Sequence, residues 1–238
     1  MGSEATTAVP TSRLRLTARA LGNLFLGMAL GLLGYYMVTD QVTRMEQGVL
    51  LESAAELGSM GAASPDRLLD EPEPGYTGWE TWFEQDIAYW RELEEYGVFG
   101  RLVIEKMDLD AVVVRGVDRE ALKRGPGWMP YTDVPAKNRG NVGIAAHRTT
   151  YGAPFRRLDD LEAGDTIHLL SPFRRYTYEV SEKLVVTPDV IEVVRSTEDP
   201  TLTLSACHPP YSAAYRLIVQ AKLVEMQVLD DDPSSDGS

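Results

Sequence analysis

Residues 20–38 form a nineteen-residue stretch without a charged side chain. As an α-helix, which rises 1.5 Å per residue, such a stretch spans roughly 28 Å and matches the hydrocarbon core of a bilayer. Arginines at positions 13, 15 and 19 precede it and Asp40 follows it, so the positive-inside rule places the N-terminus in the cytoplasm. The sequence therefore predicts a cytoplasmic segment over 1–19 and an uncleaved membrane anchor over 20–38. A cleaved signal peptide is the alternative, although the stretch is long for one and no clear cleavage site follows at once.

The formal charge of −13 is unevenly distributed along the chain. Residues 40–98 carry a net charge of −11, residues 99–228 are neutral, and residues 229–238 contain four aspartates. A nucleic-acid-binding domain needs a basic surface, and this distribution excludes that class of function for residues 99–228. The acidic residues 229–238 predict a disordered tail.

Residues 39–98 are predicted to form an acidic linker followed by an amphipathic helix at 78–96. The helix is indicated by large apolar side chains at helical spacing, with Gly97 as a stop signal; they are Trp79, Trp82, Phe83, Trp90 and Leu93. We expect this helix to pack on the domain that follows, and binding of a separate partner is the alternative. The sequence leaves open how far the membrane helix continues into the linker.

From residue 99 onward the pattern changes to short β-type runs separated by turn residues. The predicted strands are Arg101–Ile104, Ala111–Val114, Val142–Ala146, Asp165–Leu170, Tyr176–Val180, Lys183–Thr187, Leu202–Cys207 and Arg216–Leu223. No long helical period intervenes, so residues 99–228 are predicted to form a mainly β domain, either a closed barrel or a sandwich.

The single cysteine, Cys207, lies at the end of one of these strands. The alternation of side chains in a strand places it on the same face as Thr203 and Ser205, with Leu204 and Ala206 on the other face. A lone thiol cannot form an internal disulfide, and exported proteins rarely keep a free one without a chemical use. The position therefore predicts a nucleophile; a small buried apolar residue is the alternative.

His147 and Arg216 are the predicted partners of the cysteine. Like Cys207, His147 closes an apolar strand, whereas His208 is adjacent to the cysteine and faces the opposite way, and His168 is expected on the surface of a strand. Arg216 begins an apolar strand, where a buried guanidinium needs a partner, and a salt bridge at the barrel rim is the alternative. The histidines and the cysteine lack the paired spacing of a zinc site, so we predict no metal and no cofactor.

Several segments resemble the catalytic domain of sortases, most of all the class E sortases of actinobacteria. The matching segments are Gly125-Pro-Gly127, residues 140–155, residues 161–165, and Thr203 through Val219. The resemblance implies an eight-stranded sortase-type β-barrel with short helices over 99–228, preceded by the transmembrane and amphipathic helices. It also implies an extracellular catalytic domain on a single-pass membrane anchor.

The resemblance further implies a cysteine transpeptidase in which Cys207 attacks the Thr–Gly bond of a C-terminal sorting signal to form a thioacyl enzyme. His147 would act as general acid and base, and Arg216 would stabilise the oxyanion. The implied substrate-binding residues are Met129, Thr149, Tyr151, Ser205, Ala206 and His208. The implied partners are surface proteins with sorting signals and a lipid II-type peptidoglycan amine.

Three positions differ from the usual family pattern. Ala146, Ala206 and Met129 stand where members usually have glycine, threonine and tyrosine. The second residue of the sorting motif therefore stays open between alanine (LAXTG) and proline (LPXTG). Two other functions also stay open, a non-catalytic membrane-tethered binding domain and a simple cysteine hydrolase.

Overall fold

The computed structural model describes residues 11–62, 79–135 and 139–229. Residues 1–10 of the predicted cytoplasmic segment, residues 63–78 of the predicted linker and nearly all of the predicted tail lie outside the described residues. The chain forms two compact units, Met1–Thr39 and Asp40–Ser238.

The first unit contains the beginning of helix α1, which spans Thr11–Ala62. By length and composition, α1 could cross a membrane within Thr17–Ala55, where an 18-residue window has a mean hydropathy of 1.5. The side chains of Leu21, Leu24 and Phe25 are more than half exposed. Apolar side chains exposed around a helix suit contact with lipid.

The second unit contains an eight-stranded closed β-barrel. Its strands are β1 Val98–Ile104, β2 Leu109–Arg115, β3 Gly127–Trp128, β4 Asn141–Ala145, β5 Thr166–Leu170, β6 Arg174–Val186, β7 Thr201–His208 and β8 Tyr215–Val228. They close in the order β1-β2-β3-β4-β7-β8-β6-β5. The β2–β3 and β4–β7 pairs are parallel and the others antiparallel. The predicted eight-stranded barrel is confirmed.

Short helices connect the strands. They are α3 Arg119–Arg124 and 3₁₀ turns at Glu105–Met107, Leu158–Asp160 and Glu192–Val194, while helix α2, Trp79–Glu92, precedes β1.

Two strands differ from the sequence prediction. The runs predicted at Tyr176–Val180 and Lys183–Thr187 are one continuous strand, β6, whose pairing with β8 shifts register between Val180 and Glu182. The irregularity coincides with the polar residues Ser181 and Glu182, which divide the apolar run in the sequence. The two-residue strand β3 was not predicted, since two residues carry no periodicity.

The barrel interior is filled by apolar side chains, and α2 packs against it as predicted. The rings of Trp90 in α2, Phe99 in β1 and Trp128 in β3 stack with centroid separations of 5.3 and 4.6 Å. The indole N–H of Trp90 also donates to the carbonyl oxygen of Phe99 at 2.9 Å. These contacts fix the C-terminal part of α2 to the barrel.

The part of α1 that belongs to the second unit covers the outer face of β2. Leu50 packs with Val112 and Val114, and Gln47 bonds to the β2 backbone. The amide nitrogen of Gln47 donates to the carbonyl oxygens of Val112 at 3.1 Å and Arg124 at 2.7 Å, and its oxygen accepts from the N–H of Val112 at 2.8 Å. Because β3 is too short to reach Val112, the glutamine side chain satisfies backbone groups that a longer strand would pair.

Replacing Gln47 by alanine is expected to lower the free energy of unfolding by about 1–3 kcal/mol, since it leaves these buried backbone groups without partners. Denaturation of the full-length protein in detergent, followed by tryptophan fluorescence, measures the loss. Gln41→Ala is the matched control, because Gln41 is exposed on the same helix, and its expected effect is below about 0.5 kcal/mol. Equal effects of the two substitutions would show that the Gln47 contacts contribute nothing specific.

Candidate active site

Three neighbouring strands bring Cys207, His147 and Arg216 to one end of the sheet. Cys207 near the end of β7 is paired directly with Arg216 near the start of β8. The parallel β4–β7 pairing runs from Asn141↔Thr201 to Ala145↔Ser205. The same register, extended two residues beyond the end of β4, brings His147 alongside Cys207.

Cys207 and Arg216 belong to the outer face of the sheet, and His147 continues the alternation in which Ile144 and Ala146 lie in the core. Leu204 and Ala206 of β7 and Leu217 of β8 lie in the barrel core, so the alternating positions, which include Cys207 and Arg216, face outward. The side-chain alternation predicted for β7 is the one that the structure has. The candidate site is therefore an open surface over three strands rather than a chamber inside the barrel.

Cys207 has a free, half-buried thiol. Its neighbour Ala206 is 2% exposed and lies in the core, whereas Cys207 does not belong to that cluster. A nucleophile must be reached by its substrate, and the strand end provides that access.

His147 is half-buried, and burial lowers the pKa of its imidazole below the usual 6.5. The tilted ring of Tyr151 lies 5.2 Å from it, centroid to centroid. Among the described residues, no group hydrogen-bonds to the buried Nε2 atom. Burial thus disfavours the charged imidazolium form of His147, and no group in the described part of the chain holds its Nε2 atom.

The loop after His147 contains strained backbone. Tyr151 and Ala153 have φ angles of 51° and 46°, in a region that residues other than glycine rarely adopt. The N–H of Phe155 donates to the carbonyl oxygen of His147 at 3.1 Å and closes the loop. This conformation holds Tyr151 beside the imidazole; Thr149, in the same loop, is half-buried.

The guanidinium of Arg216 binds to its own loop. Its Nη1 atom donates to the carbonyl oxygens of Ala213 and Tyr215, each at 3.0 Å. Within the described part of the chain no carboxylate forms an ion pair with it, so the alternative of a rim salt bridge is not realised there. A guanidinium has five N–H groups on three nitrogens, and both of these hydrogen bonds come from the same nitrogen, Nη1.

The other predicted binding residues occupy different surroundings. Met129 is buried over β4, and its N–H donates to the carbonyl oxygen of Gly143 at 2.9 Å. Ser205 is paired with Ala145 on the outer face. His208 follows Cys207 in β7, so strand alternation directs it to the opposite face, and its Nδ1 atom lies 2.9 Å from Nη1 of Arg148. The third histidine, His168, is half-buried in β5.

Sequence reasoning missed Arg148 and Asp159. Arg148 is 3% exposed and forms an ion pair with Asp159 at 2.6 Å. The available signal was an arginine directly after the apolar strand that ends in His147. In the described ranges, no group of three or more metal-ligating side chains is close enough to hold a metal ion.

Comparisons with known proteins agree with this fold. A family model described as the sortase domain matches residues 102–224, just over half of the chain. Sortase SrtE1 of Streptomyces coelicolor is 31% identical over 142 residues, which cover 53% of this chain and 40% of that protein. Sortase D of Bacillus subtilis is 32% identical over 111 residues, which cover 46% of this chain and 54% of that protein. The chain thus spans about half the length of these relatives or less.

Solved structures show the same fold. The crystal structure of Sortase E1 from Streptomyces coelicolor with a tripeptide in the active site has a TM-score of 0.52 and 29% identity, and the match covers 55% of this chain and 90% of that one. The structure of sortase E from Streptomyces avermitilis has a TM-score of 0.51 and 28% identity, with 59% of this chain and 97% of that one covered.

Proposed function

Because the chain belongs to the sortase family, we propose that it is a membrane-anchored cysteine transpeptidase that cleaves a C-terminal sorting signal. The observation that carries the proposal is the direct pairing of Cys207 with Arg216; His147 follows two residues after the end of β4, which pairs with the other edge of β7. A nucleophile, a proton carrier and a cation thus meet on one open face.

The proposed reaction begins when the Cys207 thiolate attacks the Thr–Gly carbonyl carbon. His147, as imidazolium, protonates the departing glycine amine when the C–N bond breaks, and the acyl group remains on the sulfur as a thioester. The neutral imidazole then takes a proton from the incoming amine, which attacks the thioester and releases the thiolate. The half-buried guanidinium of Arg216 stabilises the negative charge on the carbonyl oxygen in both steps.

The proposed substrates are surface proteins with LAXTG- or LPXTG-like signals, and the proposed acceptor is a lipid II-type peptidoglycan amine. The tripeptide in the structure of Sortase E1 supports a peptide substrate for this fold. The apolar part of α1 supports a single-pass anchor, and the arginines before it support a cytoplasmic N-terminus with the barrel outside.

The proposal is tested with the full-length protein in detergent. The protein is incubated with LAXTG and LPXTG peptides, with and without glycine or diaminopimelate-type amines, and products are identified by mass spectrometry. A transpeptidase gives a thioacyl adduct on Cys207 and an amine-linked product. A hydrolase instead releases the cleaved peptide at full speed without an acceptor amine, and a binding domain forms no adduct with any peptide.

The pH dependence follows from the burial of His147. The reaction requires that the Cys207 thiol and the His147 imidazole together carry one proton. The dependence of kcat/KM on pH is therefore expected to be bell-shaped. Since burial lowers the pKa of His147, activity rises with pH through an apparent pKa below 6.5 and falls again when the pair loses its last proton. Measuring kcat/KM for one peptide from pH 5 to 10 checks the prediction.

Two variants sharpen this measurement. Tyr151→Ala removes the ring beside the imidazole and is expected to move the acid limb upward toward 6.5, because the imidazolium becomes better solvated. His168→Ala is the control and is expected to leave the pH of the acid limb unchanged. A flat profile would contradict the shared-proton scheme, and an acid limb above 6.5 in the wild type would contradict the effect of burial.

A further inference from the structure

Arg148 is a buried cation with two side-chain partners. Its Nη2 atom forms an ion pair with Oδ1 of Asp159 at 2.6 Å, and its Nη1 atom lies 2.9 Å from Nδ1 of His208. The side chain of Arg148 is 2% exposed, whereas that of Asp159 is 53% exposed. A guanidinium withdrawn from water to this degree must be held by such contacts.

The contact with His208 fixes where the imidazole proton lies. Arginine stays protonated in proteins and has no acceptor atom, so its N–H must donate to a lone pair on Nδ1. The ring of His208 is therefore neutral, with its proton on Nε2. The imidazole acts here as a hydrogen-bond acceptor rather than as a second base.

The contact joins the two segments that carry the reacting groups. Arg148 follows His147 directly, and His208 follows Cys207 directly. The backbone bonds between β4 and β7 continue to the Ala146 N–H and the Ser205 carbonyl oxygen, 3.2 Å apart. Beyond that point, the Arg148–His208 contact extends the connection between the two strands.

Strand alternation separates this contact from the substrate. Cys207 faces outward, so His208 points toward the other side of the sheet. The buried guanidinium of Arg148 lies on that side, where it bonds to His208. These residues therefore act on the reaction through the positions of Cys207 and His147.

We propose that Arg148 is a positioning residue, and that the arginine clamp (Arg148, Asp159 and His208) sets the separation between Cys207 and His147 during acyl transfer. This proposal rests on the proposed transpeptidase function. It assigns to His208 a role beneath the site, as the acceptor that links β7 to the loop after β4.

Removing the clamp is expected to lower kcat more than it changes KM. Arg148→Met and His208→Phe should each lower kcat about 10- to 100-fold, because displacements of about 1 Å between reacting groups have effects of this size, while KM stays within about threefold. His208→Asn, whose side-chain oxygen replaces Nδ1 as acceptor, should restore most of the activity. The double variant Arg148→Met/His208→Phe should be no slower than the slower single variant, since both remove one contact.

Arg157→Met is the matched control. Arg157 lies in the same loop and forms an ion pair with Asp160 at 2.7 Å, but its side chain is 50% exposed, and its kcat should stay within about twofold of the wild type. Arg148→Lys, which keeps a buried cation opposite Asp159, provides a folded variant if Arg148→Met does not fold, and about a three- to tenfold loss of kcat is expected.

Nitrogen-15 NMR of histidine gives a readout that needs no substrate. The chain has three histidines, so selective labelling yields few signals, and His208 should show an unprotonated Nδ1 in the wild type and lose that signature in Arg148→Met. A protonated Nδ1 in the wild type, or full kcat in folded clamp variants, would overturn the clamp. A wild type that forms no thioacyl adduct would overturn the proposed function instead, and the NMR signal would still show whether the clamp exists.

Discussion

Replacing Cys207 by alanine is expected to abolish both transpeptidation and the slow hydrolysis of a sorting peptide. Cys207 is the only cysteine in the chain, so no other thiol can form the thioester. Loss of a covalent nucleophile lowers kcat by about 10³-fold or more in enzymes of this chemical type. Mass spectrometry of the full-length protein with peptide should show the adduct in the wild type and none in the variant.

The fold should survive this substitution. Cys207 is half-buried and does not belong to the core cluster, so removal of one sulfur atom should change the free energy of unfolding by about 1 kcal/mol or less. His147→Ala should also lose turnover, whereas His168→Ala, which alters a histidine within β5, should keep kcat within about twofold. Residual thioester chemistry in Cys207→Ala would overturn the assignment of the nucleophile.

The barrel could be predicted because most of its strands alternate clearly. In β7, the apolar positions Leu202, Leu204 and Ala206 face the core, and the same alternation placed Cys207 on the outer face. β3 could not be predicted, since its position depends on a close approach to β2. A Cβ atom on Gly127 would collide with the carbonyl oxygen of Gly116, and no local pattern reveals that contact.

The sequence could predict the site residues that stand at the end of an apolar strand. It could not predict the polar residues that the fold buries. Cys207, His147 and Arg216 each stand beside an apolar run in the sequence. Arg148 and Gln47 resemble ordinary surface residues, and only the tertiary structure shows that one contacts His208 and the other contacts Val112. The partners of such residues lie 60 or more positions away in the chain, beyond any local signal.

Asp86 is a further buried polar residue that the sequence did not indicate. It lies in α2 and is fully buried, as is Arg174 at 1% exposure, and the two form an ion pair at 2.5 Å. The hydroxyls of Tyr176 and Ser171 also donate to its carboxylate at 2.6 and 2.8 Å. Asp86 thus joins α2 to Arg174, the first residue of β6. The last residue of the same strand, Val186, pairs with Arg216 of the candidate site.

Burial raises the pKa of the Asp86 carboxyl, although the charge of Arg174 and the hydrogen bonds from Tyr176, Ser171 and Arg174 act in the opposite direction. The unfavourable free energy of desolvating the carboxylate is therefore larger than the stabilisation that these contacts provide. The pair is expected to matter mainly because neither charge can be buried without the other.

Replacing Asp86 by alanine is accordingly expected to destabilise the protein by about 3–5 kcal/mol, because it leaves the Arg174 cation buried without its carboxylate. Asp110→Ala is the matched control: Asp110 also pairs with an arginine, Arg101, at 2.5 Å, but both side chains are more than 40% exposed, and the expected loss is below about 1 kcal/mol. Chemical denaturation of each full-length variant in detergent measures the two values. The double variant Asp86→Ala/Arg174→Met removes both charges and should recover a large part of the loss. Equal losses for Asp86→Ala and Asp110→Ala, or no recovery in the double variant, would contradict this account of how α2 is fixed to the barrel.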